Sequence, residues 1–157
     1  MFLNNPFTES QPAFSPDGRW LAYASNETGR NEVYVRPFPG PGGKWQVSSD
    51  GGIYPTWSRT RQELFFATPS PDDRIMVASY AADGDSFHAE KPRLWSESRH
   101  IFRVGPAGQA RPFDLHPDGD RVALAKAPDA ETAAKQDKVV FIFNFADYLR
   151  KIAPGTK

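Results

Sequence analysis

The 157-residue chain contains no cysteine, which excludes disulfides and thiolate metal centres and leaves the redox compartment undetermined. Charge of one sign is not in excess either: 19 Lys and Arg balance 19 Asp and Glu, and the balance holds along the whole length. Without a basic face or an acidic tail, nucleic acid and anionic membrane are poor partners. Long hydrophobic runs are also missing. The longest, Val139-Val140-Phe141-Ile142-Phe143, falls far short of the ~20 residues that span a bilayer, so no membrane insertion by this chain is expected. The first residues have neither the charged start nor the apolar core of an export signal. Turn and ring chemistry are abundant: 12 Gly and 15 Pro stand beside 12 Phe, 5 Tyr and 4 Trp. That mixture suits many short strands joined by tight turns, at a length typical of one domain.

The chain repeats itself. Pro12-Ala13-Phe14-Ser15-Pro16-Asp17-Gly18-Arg19-Trp20-Leu21-Ala22-Tyr23 is echoed by Pro55 to Phe66 and by Phe113 to Leu124. Each copy has an apolar residue, a polar one, a turn and then an apolar run. Ser15 and Ser58 are 43 residues apart, and Ser58 and His116 are 58 apart. A period of roughly 40–45 residues is that of one four-stranded propeller blade, so the second unit is expected to carry an insertion of about 15.

Turn chemistry explains the spacing. In Ser15-Pro16-Asp17-Gly18, Ser suits the first position of a type I turn, Pro presets φ, and Gly accepts the left-handed position that closes a three-residue hairpin. His116-Pro117-Asp118-Gly119 repeats this. Ser58-Arg59-Thr60-Arg61 lacks both Pro and Gly, which predicts a looser or strained turn with Arg61 at positive φ. Strands are expected after each turn, at Trp20–Ser25, Glu63–Ala67 and Arg121–Ala125. A second set follows at Glu32–Arg36, Arg74–Ser79 and Lys138–Asn144, with a fourth strand of the first unit at Lys44–Ser48. Runs such as Trp20-Leu21-Ala22-Tyr23 are apolar on both faces, as in a sheet covered on both sides. Blades stacked around an axis supply that double cover.

The predicted fold is therefore all-β: a partial β-propeller of about three four-stranded antiparallel blades, with units at about 7–50, 51–98 and 108–145. Phe2 to Pro6 resembles the outer strand of a further blade. Asn144 offers an N-cap, and Phe145, Leu149 and Ile152 recur at helical spacing, predicting a short C-terminal helix over about 145–152. Three blades cannot close a ring, since propellers have roughly 4–8. Either the chain belongs to a larger propeller, or a homodimer completes a ring of about six blades.

Gln11 to Tyr23 resembles the TolB-like (PD40, WD40-like) propeller repeat. Asn26 to Gly40, with its Val33-Tyr34-Val35-Arg36-Pro37-Phe38-Pro39-Gly40 string, is similar to the C-terminal propeller of bacterial receptor-like serine/threonine protein kinases, as are Gly43-Lys44-Trp45-Gln46-Val47-Ser48 and Val139 to Lys151. The resemblance implies a non-catalytic sensory or scaffold segment that binds a protein or a small-molecule ligand. It also implies an extracytoplasmic, periplasmic location within a full-length protein, against a cytoplasmic one for this chain expressed alone. Kinase chemistry is not implied. The Gly-rich loop, the Val-Ala-Ile-Lys strand, His-Arg-Asp and Asp-Phe-Gly are all absent from the sequence. The alternatives are an accessory propeller that gates a peptidase of prolyl-oligopeptidase type, or a truncated structural fragment.

Candidate chemistry is sparse. His88, His100 and His116 show no metal-ligand spacing, and His116 stands where Ser15 and Ser58 stand, in a turn. Gly40-Pro41-Gly42-Gly43 leads into a strand and not a helix, so it is no phosphate cradle. Asp72-Asp73 and Asp83-Gly84-Asp85 lack the further ligands of a calcium loop. No catalytic residue, metal or cofactor is expected. Trp45, Trp57 and Trp95 suit packing between blades. Because loops alternate between the two ends of an antiparallel blade, Asn26–Arg30, the crossing at Ser48–Tyr54, Thr68–Asp73 and Arg99–Arg111 should share one end. Loops on a rigid scaffold carry recognition, so Asn26, Glu27, Arg30, Asp50, Tyr54 and Arg111 are the expected contact set.

Overall fold

The computed structural model describes residues 6–97 and 113–124, and these form eleven strands and no helix. The first sheet is β1 (Glu9–Phe14), β2 (Trp20–Ser25), β3 (Glu32–Pro37) and β4 (Trp45–Gln46), antiparallel and in sequence order. The second is built on β5 (Ile53–Trp57), β6 (Glu63–Ala67) and β7 (Ile75–Asp83). Both β8 (Ser86–Ala89) and β9 (Arg93–Leu94) pair with β7, at different points along it. The third sheet contains β10 (Phe113–Leu115) and β11 (Val122–Leu124) among the described residues. The chain is a partial β-propeller: each sheet is a blade, β1, β5 and β10 adjoin one another along the axis, and the later strands radiate outward. The expected strand at Lys138–Asn144, the helix over 145–152 and nearly all of the strand at Phe2–Pro6 lie outside the described residues.

The double-sided apolar runs behave as their composition dictates. Every residue of β5 is buried, because a blade between two neighbours has no wet face, and every residue of β2 in the first blade is buried as well. Side chains alternate between two cores. Leu64 and Phe66 of β6 join Trp20, Ala22, Val33, Val35 and Val47 in the joint of blades 1 and 2. Phe65 and Ala67 turn the other way and join Ile75, Val77, Phe113 and Leu115 between blades 2 and 3. Trp57 and Trp45 pack in the first joint and Trp95 against Phe65 beside the second, in line with the expected packing between blades.

The insertion in the second unit is a hairpin. β7 runs on past the length of its neighbours, turns at Gly84 with φ of 54°, and returns as β8. That hairpin reaches back over blade 1. Arg19 donates to the Gly84 carbonyl, and Phe87 enters the ring cluster of Trp20, Trp45, Trp57 and Tyr80.

The turns hold one surprise. Gly18 and Gly119 take φ of 70° and 77°, as expected. Arg61, expected at positive φ, is not among the positive-φ residues. The Ser58 hydroxyl instead accepts the amides of Thr60 and Arg61 at 3.4 and 3.2 Å, closing the turn without a left-handed residue. The freed Arg61 side chain crosses to the next blade, pairing with Asp120 at 2.8 Å and donating to the Gly119 carbonyl. Loss of the Asp-Gly pair thus turned a hairpin cap into a clasp between blades. In the third turn, the Asp120 amide, assisted by Arg121 and His116, holds the Asp118 carboxyl down to about 2. A depressed carboxylate supports the fold above its unfolded value of about 3.8 and loses that support as pH falls towards 2. An NMR titration should therefore show the Asp118 carboxyl carbon still in its charged state at about pH 3 and protonating only below that.

Candidate functional site

Two surfaces lie at opposite ends of the inner strands. At the end where β1 begins, the Asn26–Gly29 turn meets the crossing between blades 1 and 2. Asn26 accepts the Thr8 amide at 2.9 Å and the Gly29 amide at 2.9 Å, so its polar groups hold the turn together. Glu27 pairs with Lys44 at 2.5 Å, and Lys44 lies 5.0 Å from the centre of the Tyr34 ring. Arg30 donates to Glu32 at 2.7 Å and to the Ser49 carbonyl, and stands 3.5 Å from the exposed Asp50 carboxylate.

Beneath them Glu32 is 1% exposed. Its two oxygens take Arg30, the Gly51 amide at 3.0 Å and the Ser48 hydroxyl. Thr28, Gly29, Arg30, Glu32, Gln46 and Ser49 line a shallow cleft of about 500 Å³ here. The structure thus brings Asn26, Glu27, Arg30 and Asp50 to one rim, with most of their polar groups spent on each other and on the backbone. Tyr54 is elsewhere. It is 2% exposed in the joint of blades 2 and 3, at φ of 56°, its amide donating to Gln11 across to blade 1 at 2.7 Å. Burial pushes its hydroxyl up, and that hydroxyl has no partner among the described residues. Arg111 lies outside the described residues.

The other end carries an axial cleft of about 450 Å³. Ala13 and Phe14 end β1, Thr56 and Trp57 end β5, and Asp114 and Leu115 come from β10; Pro16 and Arg59 follow from the turns. Trp57 donates from Nε1 to the Ala13 carbonyl at 2.9 Å, which fixes the indole in the wall. Phe14 is 55% exposed, edge-on to Phe38 at 4.9 Å. Arg59 is exposed and makes no ion pair or side-chain hydrogen bond among the described residues. The cleft therefore offers an aromatic wall, one uncommitted guanidinium and the Asp114 carboxylate. Its signal in the sequence is Arg59 itself, standing where the other turns have Pro16 and Pro117.

The turn hydroxyls near this cleft are spent on local hydrogen bonds. The Ser15 hydroxyl bonds Asp17 at 2.5 Å and accepts the Trp20 amide at 2.9 Å, and the Ser58 hydroxyl is spent on its own turn. His116 Nδ1 accepts the Asp118 amide at 3.2 Å, doing the work of the turn serine. No group of three His, Asp or Glu among the described residues could hold a metal ion.

No family model matches the chain. It is 32% identical over 73 residues to an uncharacterized protein of Agrobacterium fabrum, covering 46% of this chain and 21% of that protein. It is 31% identical over 129 residues to a tricorn protease homolog of Streptomyces coelicolor, covering 78% of this chain and 10% of that protein. Among solved structures it is similar to one described as a TolB from Agrobacterium tumefaciens, with a TM-score of 0.43 and 19% identity over 59% of this chain and 36% of that one. The chain spans about a fifth and a tenth of the lengths of these two curated relatives.

Proposed function

We propose that this chain is a non-catalytic binding segment of a TolB-like (PD40-type) β-propeller that holds its ligand in the axial cleft. The observation that carries this reading is an uncommitted Arg59 beside the exposed Phe14 ring, on a wall of inner strands locked by Trp57. A guanidinium next to apolar surface suits a ligand with a carboxylate and an apolar body. The test is an NMR titration with a panel of small carboxylates and carboxylate-bearing peptides. Binding at the axis should move the Trp57 indole N–H and the Thr56 and Leu115 amides. Arg59→Met should weaken such binding by about tenfold or more. Shifts confined to Arg30, Ser49 and Asp50 would place recognition on the rim instead, on the contact set expected from the sequence.

A second reading has its own support: the matched segment of the Streptomyces relative belongs to a protein named as a tricorn protease homolog. In that reading the segment is part of a propeller that presents substrate to a peptidase carried elsewhere in a longer protein. The receptor-kinase parent rests on the sequence resemblance of Asn26 to Gly40, Gly43 to Ser48 and Val139 to Lys151 alone. A hydrolase or a kinase reading frame continuous with this one would separate the two.

A further inference from the structure

Arg36 is a cation that the fold half buries and leaves without an acceptor. It stands near the end of β3, opposite Leu21 of β2. Arg19, Arg30, Arg61, Arg74, Arg93 and Arg121 each hold a carboxylate or a backbone carbonyl. Arg59 holds neither, but it is exposed and water solvates it. Arg36 is only half-exposed, its Nε is shut away from water, and it makes no ion pair or side-chain hydrogen bond among the described residues. The Tyr23 hydroxyl feels its charge, but burial pushes that hydroxyl up to about 12, so it stays neutral and does not balance Arg36. A cation so placed calls for an anionic partner.

The loop after β3 folds back beside Arg36 and forms a cavity of about 120 Å³, lined by Arg36, Pro37, Gly40, Pro41 and Gly42. No carboxylate is among the lining residues. Pro37, Pro39 and Pro41 have no N–H to give, and the Phe38 amide is given to the Arg19 carbonyl at 2.8 Å. The Gly40 and Gly42 amides bond no acceptor among the described residues. Both glycines are required by the shape of the loop: Gly40 takes φ of 36°, and a side chain at Gly42 would run into the Pro37 ring. The Gly40–Gly43 stretch has no helix behind it, and the positive charge that a helix would have supplied comes instead from Arg36 on the strand before it.

We propose that Arg36, with the Gly40 and Gly42 amides, holds a small oxyanion, a phosphate or carboxylate group, in this cavity. Hydrogen bonds from a guanidinium to an oxyanion are among the strong ones, and they gain where one side of the cation is closed to water. The volume takes such a group with a few waters. It lies well below the roughly 300 Å³ at which pockets begin to enclose drug-sized molecules. The site is separate from the axial cleft, and it does not depend on what that cleft binds.

NMR of the purified chain, titrated with inorganic phosphate and separately with acetate at constant ionic strength, tests it. At least one of the two anions should give saturable shifts of the Gly40 and Gly42 amides and of the Arg36 Nε–H. The tighter of them shows whether the cavity takes a tetrahedral or a planar group. Arg36→Met should weaken that binding by at least about tenfold, and Arg36→Lys, which keeps the charge without the fork, should fall between the two. Unchanged Val33 and Val35 amides report that these variants keep the blade. If Arg36→Met does not fold, the Arg36 Nε–H of the parent chain decides. Arg59→Met should bind as the parent does, which separates this site from the axial one. Shifts that never saturate, an Arg36 Nε–H that stays still while the glycine amides move, or binding weakened as much by Arg59→Met as by Arg36→Met overturns the proposal.

Discussion

Replacing Phe87 with alanine is expected to lower the stability of the chain by about 3–5 kcal/mol, the usual cost of removing a buried phenylalanine and leaving its cavity. Phe87 is 2% exposed, and its ring lies 5.1 Å from Trp20, 6.1 Å from Trp45, 6.1 Å from Trp57 and 5.1 Å from Tyr80. These rings belong to two blades, so the residue closes a joint as well as filling a core. The loss cannot be healed by a small shift of one strand, because β8 is tied to β7 through the Tyr80–Asp83 ladder. Urea unfolding followed by tryptophan fluorescence measures the change. A loss below about 1 kcal/mol would mean that the hairpin merely covers the joint and does not hold it.

Glu32→Ala should cost about 2–4 kcal/mol, the effect of stranding buried donors. The Ser48 hydroxyl and the Gly51 amide both give their hydrogen to Glu32, and each is cut off from water where it stands. The crossing between the blades would loosen with them, since the Gly52 amide bonds Asn31 at 2.8 Å next door. Glu32→Gln retains an acceptor and should recover a good part of the loss. Hydrogen exchange at Gly51 and Gly52 is the local readout: equal exchange in Glu32→Ala and the parent would show that Glu32 does not pin the crossing.

Much of the blade architecture was legible because it rests on short-range chemistry. The Ser-Pro-Asp-Gly turn places Gly18 at positive φ, and the same string at Gly119 does so again. β2 and β6 occupy the residues that their apolar runs predict. Three features were not legible. Arg61 escaped the strain its turn implied, because a Ser58 hydroxyl and an aspartate 59 residues away gave it other work. Tyr54 reads as a loop residue beside Gly51-Gly52, yet a bulge between Ile53 and Thr56 turns it into the core. Arg59 reads as a defective turn residue, and only the convergence of β1, β5 and β10 shows that it overlooks a cleft.

By itself the sequence determined strands such as β2 and β6, the Ser15 and His116 turns, the absence of cysteine chemistry and the double-sided burial of β2. All of these are set by residues within a turn or a strand of one another, or by composition alone. Tertiary structure decided where the inserted hairpin lies, which charges are spent in clasps between blades, and that Arg59 overlooks the axial cleft instead. Those outcomes depend on contacts between residues some 40 to 65 positions apart, such as Trp57 with Ala13 and Arg19 with Gly84, and no local pattern encodes such a distance.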